Sequence, residues 1–155
     1  MTDTTEDGIR TQAATDGVTH FATGLAVARD NKILIVRRAA HDWLGGVYEL
    51  PGGGVDDGET IAEGAIRELQ EETGLAITKI LDTFDGFDYS TDHKPRVRQI
   101  NFLVEVAPGE VVLDPNEHDE YQWVDESSYK DVAVSPEIQK CLAVAFHLLR
   151  QTAKS

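Results

Sequence analysis

Apolar side chains along this chain follow two kinds of pattern, short runs bounded by turn residues and longer segments with helical spacing. Residues 18–28 and 33–36 are apolar runs separated by Asp30-Asn31, two residues that favour turns, so this region is predicted to be a β-hairpin. β-Branched and aromatic residues, in part alternating with polar ones, predict further strands at 47–50, 77–87, 95–106 and 121–124. Together these stretches predict a β-sheet with a covered face.

Two longer segments have the period of amphipathic helices. The first begins near Thr60, which can form a capping box with Glu63, and ends at Gly74, which favours the left-handed conformation that closes a helix. Its apolar stripe is predicted to consist of Ala62, Ala65, Ile66, Leu69 and Thr73. The second segment, at 135–151, has a broad apolar face and is predicted to pack on the sheet.

This order of elements predicts an α/β protein of the α+β type, in which a mixed β-sheet is sandwiched between helices. A chain of 155 residues suits a single domain, which we assign to residues 17–155. Residues 1–16 are polar and show no apolar period, so they are predicted to be a disordered N-terminal tail. The loop at 39–46 carries His41 and Trp43, and Trp43 either packs over the loop or borders a ligand pocket.

Composition and charge restrict the partners of this chain. A formal net charge of −14 repels nucleic acid polymers and anionic membrane surfaces, whereas bound cations would reverse the local field and admit a small phosphorylated molecule. Cys141 is the only cysteine and lies in an apolar run, which excludes an intramolecular disulfide and predicts a buried structural thiol. The chain has no apolar run of membrane-spanning length and no signal-peptide pattern, so a cytoplasmic protein is predicted. The oligomeric state stays open, with a homodimer among the options.

Three carboxylates form a stripe beside the apolar face of the first helix. Glu68, Glu71 and Glu72 lie three and four residues apart, and like charges at this spacing destabilise an isolated helix by about 0.2–0.5 kcal/mol per pair. A bound cation is therefore expected at this stripe. Because the stripe offers oxygen ligands without cysteine or histidine, it suits Mg²⁺ or Mn²⁺ better than Zn²⁺. The alternative is a solvated acidic face on a surface helix.

The carboxylates belong to a longer motif with fixed spacing. Gly53 is followed after five residues by Glu59 and, after seven more, by the segment 67–75, Arg-Glu-Leu-Gln-Glu-Glu-Thr-Gly-Leu. This motif resembles a complete Nudix box, the signature of the MutT-like Nudix hydrolase family, and the preceding segment Leu50-Pro51-Gly52 resembles that family as well. The resemblance implies the Nudix architecture, which agrees with the mixed sheet that the pattern predicts.

The resemblance also implies roles for the residues of the box. Under it the metal-binding groups are Glu68, Glu71, Glu72 and the Gly52 carbonyl. Glu68 or Glu72 would in addition help to activate water. Arg67 would pair with Glu59 and orient the glutamates, so both belong to the catalytic machinery that the resemblance implies.

Further candidate residues lie around the box. Gly53 is a candidate substrate-binding residue, because its bare backbone lets a ligand approach closely. Arg37 and Arg38 end a predicted strand, where Nudix-like chains often place a basic residue against substrate phosphate; plain solvation is the alternative. A distant carboxylate often completes such a site, and the acidic loop predicted at 114–120 offers three candidate bases. They are Glu117, Glu120 and, as an imidazole alternative, His118. The alternative is that this loop is only an acidic part of the surface.

The implied activity is that of a divalent-metal-dependent pyrophosphohydrolase. Its substrate would be a nucleoside diphosphate linked to another moiety, of the nucleoside triphosphate or sugar nucleotide class. The proline that marks ADP-ribose pyrophosphatases shortly beyond the box is missing, since the next proline is Pro95. The alternative is a non-catalytic Nudix-like sensor of a nucleotide or ADP-ribose, although such domains typically lose box residues. A prenyl diphosphate isomerase would require a catalytic cysteine, and Cys141 lies on the C-terminal helix instead.

Overall fold

A computed structural model of the chain describes residues 3–40 and 45–153, so His41 and Trp43 lie outside the described residues. Along these residues the helices and strands follow one another as α1 (Glu6–Thr15), β1 (His20–Arg29), β2 (Lys32–Arg38), β3 (Tyr48–Glu49), α2 (Ile61–Thr73), β4 (Ile77–Tyr89), β5 (Val97–Val106), β6 (His118–Val124) and α3 (Pro136–Ala153). A 3₁₀ turn at Tyr129–Asp131 precedes α3.

The strands form a mixed sheet, as the sequence predicts. Its order is β3-β2-β1-β5-β4, and β6 pairs with β2 away from this path. β1 and β5 are parallel, while the other strand pairs are antiparallel. The predicted hairpin is confirmed, because Asp30 and Asn31 connect β1 to β2 with φ angles of 53° and 62°. Two left-handed residues in succession match the right-handed twist of the flanking strands.

Alternate residues of the central strands enter two separate cores. On β2, Leu34 and Val36 join the core that α2 covers, whereas Ile33 and Ile35 join the core that α3 covers. The sheet therefore lies between helices, which confirms the predicted fold class. Cys141 of α3 is 4% exposed and its Sγ lies 3.1 Å from the Asn101 amide nitrogen, as expected for a buried structural thiol. Among the described helices, none combines the length and apolar character needed to cross a bilayer.

The structure of the N-terminal segment differs from the predicted disordered tail. Residues 1–16 were expected to be a disordered tail, yet Glu6–Thr15 is an α-helix whose first turn is capped by the Thr5 side chain, which accepts from the Gly8 N–H. Ile9 and Ala13 are 9% and 1% exposed. These two residues, one helical turn apart, are the whole apolar stripe of α1. Such a short stripe inside a polar segment gives too weak a period to detect from sequence.

The helix of the Nudix-like motif is confirmed at both ends. Thr60 and Glu63 form the capping box, and Gly74 has a φ of 74° and donates its N–H to the Gln70 carbonyl. The predicted apolar stripe is wrong at Ile66, which is 43% exposed. The buried stripe instead runs through Ile61, Gly64, Ala65, Leu69, Glu72 and Thr73. α2 is thus turned so that the Glu72 carboxylate, rather than the Ile66 side chain, enters the interior.

Candidate active site

The loop before α2 is held close to β1 by backbone contacts. The Thr23 N–H donates to the Gly53 carbonyl at 2.8 Å, and a Cβ on Gly52, whose φ is 152°, would lie 2.0 Å from the Thr23 carbonyl oxygen. A Cβ on Gly53 would lie 2.4 Å from a carboxylate oxygen of Glu68. Glycine is therefore required at position 52, whereas a side chain at position 53 would displace the Glu68 carboxylate, which rests against the bare backbone of the loop.

Glu72 carries its carboxylate into the interior beside the same loop. The side chain is 7% exposed, and its Oε2 accepts from the Gly52 N–H at 2.8 Å. Ligand atoms of Glu72, Glu117 and His118 all lie within 4.8 Å of one another. Burial, with the nearby carboxylates of Glu117 and Glu49, raises the pKa of Glu72 to about 9 against the opposing effect of the Gly52 N–H. Burial thus favours the protonated form of this carboxyl group, and a cation beside it would favour the ionised form.

Arg67 contacts the carboxylate cluster of α2, which consists of Glu68, Glu71 and Glu72, on its solvent side. Its guanidinium makes a bidentate contact with Glu59, with N–O distances of 2.8 and 2.9 Å, and its Nη2 donates to the Gly54 carbonyl at 2.9 Å. Its Nη1 lies 3.0 Å from Glu68 and 3.2 Å from Glu71. The hydrogen bonds from Arg67 lower the pKa of Glu59 to about 2, whereas burial raises the pKa of Glu68. Arg67 thus ties the loop, Glu59 and two glutamates of α2 into one network.

The three predicted metal-binding glutamates occupy different environments. The side chain of Glu68 is 16% exposed and that of Glu71 is 59% exposed, although both contact Arg67. Glu72 is the most buried of the three. The structure therefore brings Glu68 and Glu72 to the glycine loop and leaves Glu71 at the solvent side of Arg67.

A polar cavity of about 270 Å³ lies beside Glu72. Its lining residues are Ala22, Thr23, Arg38, Glu49, Leu50, Gly52, Gly53, Glu72, Tyr89, Gln99, Glu117 and His118. The sequence-based candidates in this lining are Arg38, Gly52, Gly53, Glu72, Glu117 and His118. Glu49 and Gln99 were missed, and only Glu49 gave a signal, as a carboxylate directly before the Leu50-Pro51-Gly52 segment.

The two arginines at the end of β2 point in different directions. Arg38 pairs with Glu49 at 3.2 Å and lines the cavity. Arg37 instead pairs with Glu120 at 2.9 Å, and Glu120 also accepts from the Tyr48 hydroxyl at 2.8 Å. Consecutive residues of a strand face opposite sides of the sheet, so Arg37 and Glu120 form a pair separate from the cavity.

Residues 118–120 are strand rather than loop, which corrects part of the predicted loop at 114–120. β6 begins at His118, whose Cα pairs with that of Arg38 across an irregularity in the register. His118 is 3% exposed, and its Nε2 lies 2.8 Å from Glu49 Oε2. Its Nδ1 is buried and has no hydrogen-bond partner among the described residues. A buried ring nitrogen without a partner among the described residues is suited to contacting a metal ion or a water molecule.

The donor groups of this cavity fit a hard divalent cation. Glu72 and Glu117 offer carboxylate oxygens, His118 offers a ring nitrogen, and Glu68 lies against the adjoining loop. Carboxylate oxygens are the ligands that Mg²⁺ and Mn²⁺ prefer. A cation would also remove the electrostatic cost of ionising a buried carboxyl group such as Glu72.

Comparison with known proteins gives a match over most of the chain. The family model described as NUDIX domain matches residues 18–143. The chain is 41% identical over 87 residues to ADP-ribose pyrophosphatase of Methanocaldococcus jannaschii, covering 55% of this chain and 50% of that protein. It is 39% identical over 66 residues to 8-oxo-dGTP diphosphatase of Proteus vulgaris, covering 41% of this chain and 59% of that protein. The chain thus spans 50% and 59% of the length of these two relatives.

A solved structure shares the fold. The crystal structure of a MutT NUDIX hydrolase from Burkholderia pseudomallei superposes with a TM-score of 0.61 at 25% sequence identity. The superposition covers 83% of this chain and 96% of that one. The N-terminal helix α1 lies before the residues that the family model matches.

Proposed function

The chain belongs to the NUDIX domain family, and from this premise we propose that it is a divalent-metal-dependent pyrophosphohydrolase. Its substrate would be a nucleoside diphosphate linked to another moiety. The observation that carries the proposal is the buried Glu72 carboxyl group, which lies beside Gly52, Glu117 and His118 in a polar cavity. The two curated relatives named above, a pyrophosphatase and a diphosphatase, support the same class of reaction.

We assign Mg²⁺ or Mn²⁺ as the cofactor. The residues that would hold it are Glu68 and Glu72, with the Gly52 carbonyl, Glu71, Glu117 and His118 as further candidate ligands. When bound, such an ion stabilises charge on phosphoryl oxygens and makes water nucleophilic near neutral pH. Arg67 would keep Glu68 oriented through its 3.0 Å contact while it is fixed itself by Glu59.

The substrate would enter the cavity with its phosphates near Arg38 and the glycine loop. Arg38 lines the cavity with Gly53, whereas Arg37 pairs with Glu120 outside it, so Arg38 is the better candidate of the two for phosphate binding. The net charge of −14 favours a small nucleotide over a nucleic acid polymer, since a bound cation neutralises only the local field.

Glu117 is the better candidate for the general base. Its carboxylate lies near Glu72, whereas Glu120 is held by Arg37 and Tyr48. Glu117→Gln is therefore expected to lower kcat by about a hundredfold or more, the range of general-base catalysis. Glu120→Gln removes the same charge three residues away and should keep near-wild-type activity. Equal losses in the two variants, measured with saturating Mg²⁺, would contradict the assignment.

A substrate panel tests the activity itself. It contains nucleoside triphosphates including 8-oxo-dGTP, ADP-ribose, a dinucleotide and sugar nucleotides, each incubated with Mg²⁺ or Mn²⁺ in ¹⁸O-labelled water. We expect mass spectrometry to show a nucleoside monophosphate from at least one of them, and the position of the label to identify the attacked phosphorus. Tight binding of a panel member without turnover would replace this proposal with that of a ligand sensor.

A further inference from the structure

Helix α1 contacts the start of α2 although it lies before the residues that the family model matches. Both carboxylate oxygens of Glu6 accept from the Ile61 N–H, at 2.9 and 3.2 Å. Arg10 donates from Nη2 to the Glu59 carbonyl at 3.0 Å and pairs with Glu6 at 2.9 Å. Two charged side chains of α1 thus hold the backbone at Glu59 and at Ile61, on either side of the N-cap residue Thr60 of α2.

The contact of Glu6 satisfies a donor that α2 cannot satisfy itself. The first N–H groups of a helix have no partner within the helix, and a negative charge there also interacts favourably with the helix dipole. The capping box uses the Thr60 hydroxyl for the Glu63 N–H, so the Ile61 N–H needs another acceptor. Glu6 supplies that acceptor from a different helix.

Packing fixes α1 at this place. Ile9 is in the same core as Ile61 and Ala65 of α2. The Arg10 guanidinium lies 5.2 Å from the centre of the Phe21 ring, within the range of a cation–π contact. Glu6 and Arg10 therefore act from a helix that is itself anchored on β1 and α2.

The contacts continue from α1 into the proposed metal site. Arg10 holds the backbone of Glu59, and the Glu59 carboxylate holds the guanidinium of Arg67 at 2.8 and 2.9 Å. Arg67 in turn donates to Glu68 and to the Gly54 carbonyl. A shift of Glu59 would move Arg67 and, with it, both the glycine loop and Glu68.

We propose that Glu6 and Arg10 are positioning residues that hold the start of α2 against the glycine loop and thereby keep the carboxylates arranged for metal binding. This inference rests on the proposed function, because it assigns α1 a role at that same site. Loss of the Glu6 contact lowers the fraction of molecules in the binding-competent arrangement, and apparent metal affinity falls with that fraction.

The test is a titration of the full chain with Mn²⁺, in which the electron paramagnetic resonance signal of the free ion measures binding. Glu6→Ala is expected to weaken Mn²⁺ binding about threefold or more, since a lost helix N-cap contact corresponds to a change of that size. It should raise the Mn²⁺ concentration for half-maximal turnover and leave kcat at saturating Mn²⁺ near the wild-type value. Glu6→Gln should restore the affinity, because its amide oxygen still accepts from Ile61.

Asp7→Ala is the matched control. Asp7 is exposed, is next to Glu6 on α1 and loses the same charge on substitution. An Mn²⁺ affinity of Glu6→Ala equal to that of Asp7→Ala would overturn the inference. If Glu6→Ala fails to fold by circular dichroism, Arg10→Ala decides in the same titration, and an unchanged affinity would again overturn it. A wild-type chain that binds Mn²⁺ without hydrolysing any panel substrate would contradict the proposed function and leave the inference intact.

Discussion

Glu72→Gln should lower kcat/KM by about a thousandfold, the scale expected when a group that stabilises transition-state charge is removed. The substitution keeps the shape of the side chain, and the amide oxygen can still accept from the Gly52 N–H that Glu72 contacts at 2.8 Å. What it removes is a negative charge that would help to hold the cation. The loss should therefore appear in activity and in metal affinity while the fold is kept.

Glu63→Gln controls for removal of a glutamate from the same helix. Its amide oxygen can still accept from the Thr60 N–H in the capping box, and Glu63 lies one turn before Arg67, away from Glu72. Activity should stay close to the wild-type value. A Glu72→Gln variant that retains activity within about tenfold of wild type, less than the loss of one such group normally causes, would remove Glu72 from the metal site.

Features set by neighbouring residues could be predicted from the sequence. The bounds of α2 follow from the Thr60-Glu63 capping box and from Gly74, each of which acts within a few residues. The hairpin follows from Asp30 and Asn31 for the same reason. The helical spacing of the box glutamates follows in the same way, but it does not predict which of them is buried, and the structure leaves Glu71 exposed while Glu72 is buried.

Features set by strand pairing could not be predicted in this way. His118 and Glu49 are 69 residues apart in sequence and meet because β6 and β3 both pair with β2. Which of Arg37 and Arg38 lines the cavity depends on the register between β2 and β6, and this register shifts between the two arginines. Burial of Ile9 against the Ile61 side of α2 is also a contact between distant segments, and a two-residue stripe gives no sign of it in the sequence.

The metal-free protein should lose stability as the pH rises from about 4.5 to about 9, because the folded state holds a proton on Glu72 that the unfolded state releases earlier. The pKa of Glu72 is raised above its ordinary value of 4.5. Its contribution to the free energy of unfolding is therefore fully present below pH 4.5 and is lost as the pH approaches about 9, the pKa of Glu72 in the folded state. At pH 7 the free energy of unfolding should be lower than at pH 4.5 by on the order of 3 kcal/mol. Urea unfolding in chelator at several pH values would measure it.

Glu72→Gln isolates this contribution from the other titrating groups, since glutamine carries no proton to release. The difference in unfolding free energy between variant and wild type should grow with pH when metal is absent. Mg²⁺ should reverse that trend in the wild type alone, by about 2.7 kcal/mol at a concentration one hundred times its dissociation constant. A pH-independent difference between the two proteins would mean that the Glu72 carboxyl group is already ionised without a cation. The buried Glu72 carboxylate would then be stable on its own, and its burial would no longer favour a metal site in the cavity.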